Sequence, residues 1–268
     1  MSLSLSVVII TLNEEQNLGR TLESVQPLVR DGQGEIIVVD SGSTDRTIEV
    51  AKSFGAKVFV EPWKGFAGQK NSAIEKATGD WVLSLDADEA VSSTAAEVIG
   101  RILGPDAGGY ERCSGVWLAR KNFFLGRWIK HGGFYPDKKL RLFRRGKGRF
   151  QDRPVHETVV IEGGTESSLE MDYNMGSEIA LEHHAYPTLE IYLEHMGRYA
   201  DLGAEMVKDK PRWCLWLNRW LNPPLSFLYN YFFRFGFLDG REGFLLHRYH
   251  ARYVGWKYAK ALARSRSL

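Results

Sequence analysis

Residues 80–89 read DWVLSLDADE, an apolar run that ends in three carboxylates. The apolar part, residues 81–85, has the length and composition of a buried strand. Asp86, Asp88 and Glu89 follow directly. Carboxylates at the end of a buried strand are partly removed from water, which costs free energy unless they meet a metal or a hydroxyl donor. The stretch therefore predicts a strand of a sheet and a functional loop at its edge.

Three more apolar runs precede it: LSVVIIT at 5–11, EIIVVD at 35–40 and AKVFV at 56–60. The segments between them have helical spacing, and alternating strands and helices indicate βαβ units around a parallel sheet. Ligands of such sheets bind beyond the carboxyl ends of the strands. The loops 11–15 (TLNEE) and 40–45 (DSGSTD) should therefore lie beside the loop after residue 85.

Length and composition fit an ordinary folded protein: 268 residues, 44% hydrophobic, 25% charged and a net charge of +2. These values exclude a disordered chain, a collagen-like chain and a protein dominated by a basic tail. Two cysteines exclude a disulfide framework and a zinc site, and indicate a reducing cytosol. We expect an α/β domain over residues 1–186 and a helical region over residues 187–268, in which Thr188 to Lys208 form a helix.

The charge is unevenly distributed. Residues 211–268 carry ten Lys and Arg against two acids, and they hold 15 of the 33 aromatic residues. This composition predicts a peripheral contact with an anionic membrane surface, and packing of the aromatics on the protein or on a second subunit is the alternative. Pro223-Pro224 is expected to break the helical pattern. We expect no signal peptide, no membrane span and no nucleic-acid partner.

Two carboxylates one residue apart, Asp86 and Asp88, can hold a divalent cation that in turn holds a diphosphate. Asp40 closes the second strand, where an acidic residue suits a ribose or a base. No Gly-x-Gly-x-x-Gly and no P-loop is present, so hydride and phosphoryl transfer lack their phosphate cradle. In the predicted strand 138–145, alternation places Arg141 and Arg144 on opposite faces. Either could hold a diphosphate or a phosphorylated acceptor, or remain a solvated edge charge.

The motifs SVVIITLNEE, VVDSGSTD, GQKNSA and LDADE, in this order and spacing, resemble the family 2 glycosyltransferases of the GT-A fold. The resemblance covers roughly residues 5 to 160. Further runs, KNFFLGRWIKHGGFYPDKKLRLFRR, FQDRPVHE and HHAYPTLEIYLEHM, are similar to the bacterial lipopolysaccharide-core glucosyltransferases that add β-glucose to an inner-core heptose.

The resemblance implies a UDP-sugar donor with Mg²⁺ or Mn²⁺. Asp86 and Asp88 would bind the metal with the UDP phosphates, and Asp86 could contact the ribose instead. The residues implied to border the nucleotide or the nucleotide-sugar are Thr11, Asn13, Glu14, Asp40 and Lys70.

The catalytic base is expected among acceptor-side carboxylates, with Glu157 as first choice and Asp137 as second, because inversion needs one carboxylate that can reach the attacking hydroxyl. His156 is a candidate third metal ligand, and a packed strand histidine is the alternative. His183 and His184 form a weaker metal candidate, for which we prefer a structural role.

These inferences predict an inverting transferase that moves a hexose, glucose by resemblance, from a UDP-sugar to a saccharide hydroxyl of the lipopolysaccharide inner core. It would work on the cytoplasmic face of the inner membrane. One alternative is a transferase to polyprenyl phosphate, whose acceptor oxygen is already anionic. The other is a non-catalytic sugar-binding protein of the membrane surface.

Overall fold

The computed structural model describes residues 3–32, 34–105, 110, 112–151, 158–169, 171–172 and 177–265. Its strands are β1 (Leu5–Thr11), β2 (Gly34–Asp40), β3 (Lys57–Val60), β4 (Trp81–Asp86), β5 (Glu89–Val91), β6 (Cys113–Phe124), β7 (Arg127–Trp128), β8 (Lys139–Arg144), β9 (Gly148–Gln151), β10 (Thr158–Ile161), β11 (Thr165–Leu169), β12 (Met171–Asp172), β13 (Ser177–Glu178) and β14 (Ala180–Tyr186). Its α-helices are α1 (Leu18–Val29), α2 (Thr47–Ser53), α3 (Phe66–Glu75), α4 (Ser93–Leu103), α5 (Leu189–Val207), α6 (Arg212–Leu228) and α7 (Gly240–Arg264).

The chain forms two compact units. The first comprises Met1–Arg120 and Lys138–His183, and the second comprises Lys121–Asp137 and His184–Leu268. Segment 121–137, which the predicted boundary at residue 186 assigns to the α/β domain, thus groups with the C-terminal helices.

The first unit is built on one mixed sheet with the strand order β3-β2-β1-β4-β8-β6-β14-β5. The four predicted strands form its parallel part, β3-β2-β1-β4, and β8 then pairs with β4 in the antiparallel direction. Thr11 pairs with Asp40, and Ile10 pairs with Asp86. This register brings the ends of β1, β2 and β4 to one edge, as the sequence predicts.

Both faces of this sheet are covered, which explains why its central strands are apolar along their whole length. On one face, Leu22 of α1 and Ile99 of α4 pack with Leu83 of β4. On the other face, Ala73 of α3 and Phe150 of β9 pack with apolar strand residues. Burial of each large apolar side chain contributes about 1.5–3 kcal/mol.

The second unit consists mainly of α5, α6 and α7, with the short strand β7 paired to the end of β6. Thr188 caps α5, because its hydroxyl accepts a hydrogen bond from the Ile191 amide at 3.4 Å. Asp201 of α5 forms ion pairs with Lys260 and Arg264 of α7 at 2.6 and 3.0 Å. The helix predicted from Thr188 to Lys208 is confirmed.

The break predicted at Pro223-Pro224 is wrong, because α6 continues through both prolines to Leu228. A proline inside a helix loses one backbone hydrogen bond and costs about 3 kcal/mol. Packing against α7 offsets this cost. Gly255 of α7 lies against Pro223, where a Cβ on residue 255 would be 3.4 Å from Cγ of Pro223.

Replacement of Leu83, which is fully buried in β4, tests this description of the first unit. We expect Leu83→Ala to lower the free energy of unfolding by about 2–5 kcal/mol, because it leaves a cavity between β4 and the helices. The matched control is Val60→Ala on the edge strand β3, where the side chain is 62% exposed and the loss should stay below about 0.5 kcal/mol. Urea titration followed by circular dichroism measures both, and equal losses would contradict the assigned core.

Candidate active site

The loop after β2 is organised by Asp40, which is fully buried. Its carboxylate accepts hydrogen bonds from the Thr11 hydroxyl at 2.9 Å, from the Gly42 and Ser43 amides at 2.9 and 2.8 Å, and from the Ser43 hydroxyl at 2.5 Å. A carboxylate offers about four acceptor positions, so these donors occupy it. Contact between Asp40 and uracil or ribose stays a prediction, and it requires one of these donors to give way.

The loop after β1 is tied to the loop after β2. Asn13 adopts a positive φ of 56°, which asparagine tolerates better than most residues. The side-chain oxygen of Asn13 accepts a hydrogen bond from the backbone amide of Thr44 at 2.8 Å. The backbone amide of Asn13 donates to Ser43 Oγ at 2.8 Å. The Glu14 amide donates to Thr47 Oγ1 at 2.8 Å. The structure thus brings Thr11, Asn13, Glu14 and Asp40 together.

Asp86, at the end of β4, lies between two cations. Lys70 Nζ of α3 is 2.7 Å from its Oδ1, and Arg141 Nη2 of β8 is 2.5 Å from its Oδ2. Burial alone would raise the pKa of Asp86, but Arg141 and Lys70 hold that pKa well below its ordinary value. Asp86 is therefore ionised at neutral pH, and the predicted residues Lys70, Asp86 and Arg141 form one cluster.

Glu89 and Arg120, for which the sequence predicts no individual role, also belong to this cluster. Glu89 is fully buried, and its Oε1 lies 2.7 Å from Arg141 Nη2 and 3.0 Å from Arg120 Nη1. Its Oε2 accepts a hydrogen bond from the Asp86 amide at 3.1 Å. Glu89 therefore fixes both the backbone of the loop and the guanidinium that holds Asp86. In the sequence, the only sign of this role is that Glu89 is the last acid of the motif DADE.

A β-bulge directs Arg141 into this cluster. On β6, Val116 pairs with Leu142 and the next residue, Trp117, pairs with Leu140, so that Arg141 has no pairing partner there. Such a bulge changes the direction in which the extra residue points. The simple alternation predicted for this strand is therefore wrong.

Asp88 faces a histidine. The antiparallel pairing of β14 with β5 sets His183 opposite Glu89, and His183 Nε2 lies 3.3 Å from Asp88 Oδ2. Burial would raise the pKa of Asp88, but His183 lowers it below its ordinary value. Glu14 is a further carboxylate near Asp88. Burial raises the pKa of Glu14, a hydrogen bond from Asn17 opposes this, and Asp88 and Asp86 add to the increase. A cation bound beside Asp88 would be stabilised by these carboxylates.

The donor set suits a divalent cation in part. A carboxylate oxygen and an imidazole nitrogen are both common ligands, and Mg²⁺ sites commonly use few protein ligands and complete their shell with phosphate oxygens and water. Within the described ranges no cluster of three or more His, Cys, Asp or Glu side chains forms a complete metal site. Asp88 and His183 therefore fit a metal shared with a bound diphosphate rather than one held by protein alone.

Several predicted residues do not join this cluster. Arg144 pairs with Trp81 at the opposite end of β4, roughly 16 Å along the strand from Asp86, and it donates to the Cys113 carbonyl at 2.9 Å. Asp137 belongs to the second unit, where Asn122 Nδ2 lies 3.3 Å from its Oδ2. His156 and Glu157 lie outside the described residues.

Comparison with known proteins gives the family. The model of glycosyl transferase family 2 matches residues 6–147. The lipopolysaccharide core biosynthesis glycosyltransferase LpsC of Rhizobium meliloti (strain 1021) is 33% identical over 254 residues, which cover 91% of this chain and 86% of LpsC. This chain belongs to glycosyl transferase family 2. The glycosyltransferase is an enzyme, and the alternative of a non-catalytic sugar-binding protein is set aside.

Solved structures similar to this glycosyltransferase include glucosyl-3-phosphoglycerate synthase of Mycobacterium tuberculosis in complex with Mn²⁺ and UDP-glucose. The two are 29% identical, and the match covers 46% of this chain and 44% of that one with a TM-score of 0.36. The match to S. aureus TarS 1–349 covers 98% of this chain and 91% of the TarS chain, with 15% identity and a TM-score of 0.46. The predicted fold class, an α/β GT-A domain with a helical C-terminal region, is confirmed by the strand order, the C-terminal helices and the family match.

Glu89 offers a test of the charge cluster in the glycosyltransferase. We expect Glu89→Gln to lower the free energy of unfolding by about 3–5 kcal/mol, because it leaves the buried guanidinium of Arg141 and the partly buried guanidinium of Arg120 without their shared counter-ion. Glu49→Gln, at an exposed glutamate of α2, is the matched control and should change it by less than about 0.5 kcal/mol. Urea denaturation decides. A Glu89→Gln variant as stable as the control would refute the structural role of this carboxylate.

Proposed function

We propose that this glycosyltransferase moves a hexose, glucose, from a UDP-sugar to a heptose hydroxyl of the lipopolysaccharide inner core, with inversion at the anomeric carbon. The observation that carries the acceptor class is the similarity to LpsC, which extends over 91% of the chain and so includes the helical region. The test is a panel of nucleotide-sugars assayed with purified core lipid, followed by linkage analysis. Transfer from another donor, or to another sugar, would overturn the corresponding part of the proposal.

The cluster at the strand edge supports the donor site. Lys70 and Arg141 are buried cations at the edge where ligands of parallel sheets bind, and the buried Arg141 Nε has no hydrogen-bond partner among the residues that the structure describes. Buried N–H groups normally have a partner, so an acceptor oxygen on a ligand suits this position. We assign the diphosphate to this edge and the nucleoside to the tied loops after β1 and β2.

Asp88 and His183 are the residues that would hold Mg²⁺ or Mn²⁺, with Asp86 beside them. A divalent cation bound there would supply positive charge to the leaving diphosphate. Asp86 is already shared by Lys70 and Arg141, so its main part would be to keep these cations in place. This proposal places His183 before His156 as the third metal ligand, whereas the sequence favours His156.

For Asp88 we expect loss of the metal-dependent part of UDP binding. In Mn²⁺, Asp88→Asn should bind UDP at least tenfold more weakly than the wild type, and in EDTA the two proteins should bind alike. Isothermal titration calorimetry measures this, and Asp209→Asn, at an exposed aspartate, is the matched control. Equal UDP affinity of Asp88→Asn and wild type in Mn²⁺ would refute the metal role.

The attacking hydroxyl needs a base, for which we propose Glu157 and keep Asp137 as the second candidate. Glu157→Gln should lower kcat by about 10² or more with the affinity for UDP unchanged, since a general base acts in the chemical step. Asp137→Asn serves as the paired variant, and a loss in that variant alone would transfer the role to Asp137. If neither variant loses activity, the acceptor oxygen is already anionic, as in polyprenyl phosphate.

We also propose that the second unit attaches the enzyme to the cytoplasmic face of the inner membrane. Exposed residues of α6 recur with helical spacing and form an apolar stripe, which consists of Trp213, Trp216, Leu217, Trp220, Leu221, Leu225 and Leu228. The stripe continues through exposed aromatics of the following turns, Tyr229, Phe232, Phe233 and Phe235. Large contiguous patches of exposed apolar side chains mark interaction sites.

The cations beside the stripe favour an anionic membrane surface as its partner. Arg219 lies over the Trp220 ring at 5.3 Å, and Arg234 lies over the Tyr229 ring at 5.8 Å. Aromatic rings next to arginines suit the headgroup layer, where each cation contributes about 1 kcal/mol. In the described part of the chain, no helix has both the length and the apolarity to cross a membrane. The attachment we propose is therefore a helix lying in the interface.

Replacement of the three tryptophans of the stripe tests this attachment. Wild-type protein should float with vesicles that contain anionic phospholipid, less at high salt than at low salt, because salt screens the charges and leaves the apolar contribution. The combined variant Trp213→Ala, Trp216→Ala, Trp220→Ala should lose the salt-resistant part. Trp63→Ala, at an exposed tryptophan of the first unit, is the control. A wild type that never floats, but forms dimers that the triple variant lacks, would show that a second copy covers the stripe.

A further inference from the structure

A cavity of about 640 Å³ lies between α3 and the β9–β10 hairpin of the first unit. Its lining combines charged, amide and aromatic side chains: Lys64, Asn71, Arg149, Phe150, Gln151 and Glu162. None of these residues has a part in the donor site described above. The volume is within the range of small-molecule sites, about 300–1,000 Å³.

The walls of the cavity are fixed without a ligand. Asn71 and Phe150 form a reciprocal pair, in which Asn71 Nδ2 donates to the Phe150 carbonyl at 2.9 Å and the Phe150 amide donates to Asn71 Oδ1 at 2.9 Å. This pair holds β9 against α3. The absence of a side chain at Gly68 leaves room for the Lys64 side chain, since a Cβ at residue 68 would be 3.0 Å from Lys64 Cβ. The cavity is thus a property of the fold and not of one side-chain rotamer.

One aromatic ring separates the cavity from the donor cluster. Phe150 lines the cavity, and Lys70 Nζ lies 5.1 Å from the centre of its ring. The same Lys70 Nζ is 2.7 Å from Asp86. A molecule in the cavity would therefore lie next to a group that pairs with the proposed donor site.

The chemistry of the lining suits a sugar that carries an anionic group. Lys64 is an exposed cation that already pairs with Glu61 at 2.8 Å. Arg149 is the exposed cation available to a ligand, because its side chain forms no hydrogen bond or ion pair with the described part of the chain. Glu162 and the Gln151 amide can accept hydrogen bonds from hydroxyl groups. An arginine can bind phosphate or carboxylate through two parallel hydrogen bonds.

Two exposed aromatics stand directly beside lining residues in the chain. Trp63 precedes Lys64, and Phe66 precedes Ala67. Their rings are 49% and 61% exposed and pack edge to face with centres 4.9 Å apart. Aromatic faces present apolar area with a fixed geometry, which the apolar face of a sugar ring can cover.

We propose that this cavity is an acceptor subsite, which binds a sugar bearing a phosphate or a carboxylate next to the sugar that is glycosylated. The proposal rests on the proposed function, because it takes the ligand to be part of the saccharide acceptor. Arg149 recognises the anionic group, and Trp63 contacts the ring. The cavity thereby selects acceptors by the charge of a neighbouring residue of the glycan.

Calorimetry in the presence of UDP tests the subsite without turnover. The probes are inner-core oligosaccharide from lipopolysaccharide, the same material after enzymatic dephosphorylation, and the same material after reduction of its carboxylates. Arg149→Gln should bind the native oligosaccharide at least tenfold more weakly than the wild type. The difference between Arg149→Gln and the wild type should disappear for one of the two treated probes. If it disappears after dephosphorylation, the recognised group is a phosphate, and if it disappears after reduction, the group is a carboxylate. Trp63→Ala should weaken binding of all three probes alike.

Arg20→Gln, at an exposed arginine of α1 on the other face of the sheet, is the matched control and should bind all probes as the wild type does. Binding of mannose 6-phosphate and of mannose, measured by saturation-transfer NMR, tests the subsite independently of the assignment of the acceptor. An Arg149-dependent preference for the phosphate, without binding of any oligosaccharide, would support the cavity and overturn the acceptor class. No Arg149-dependent difference with any probe would overturn the subsite, even where UDP and the core lipid remain substrates.

Discussion

Charge compensation around Asp86 is the constraint on which the rest of the first unit depends. Its two cations are Lys70 of α3 and Arg141 of β8, and Glu89 connects Arg141 to Arg120 of β6. Five charged groups from separate elements must therefore meet at one point, since a buried charge that loses its partner costs several kcal/mol. This requirement fixes the position of α3 on the sheet, the bulge in β8 and the conformation of the loop after β4 at once.

The parallel half of the sheet and its functional edge are predictable from sequence because the signals there are local. Strands buried on both faces are apolar throughout, and each ends at a polar loop, so the runs at 5–11, 35–40 and 80–86 indicate both the strands and the side of the sheet on which ligands bind. Asp86 and Lys70 meet at this edge. The family follows from the same motifs, which lie at the ends of these strands.

What the sequence does not reveal depends on pairings between distant segments. Arg141 reaches Asp86 through a bulge, and an alternation pattern assumes that none exists. His183 reaches Asp88 because β14 pairs with β5, a contact across about ninety residues of chain that no periodicity encodes. Pro223 and Pro224 are a helix end by local rules, and packing of α6 against α7 overrides them. In each case tertiary structure decides between conformations that the local sequence leaves open.

The hydrogen bonds around Asp40 and Asn13 have a consequence for the entropy of ligand binding. They tie the loops after β1 and β2 to each other in the protein alone, through contacts of 2.5–2.9 Å. A loop that is disordered before binding must give up conformational freedom when a ligand arrives, at a cost that lowers affinity. Here that freedom is lost during folding, so a ligand at this edge would meet loops whose backbone is already ordered, and only individual hydrogen bonds to Asp40 would have to exchange.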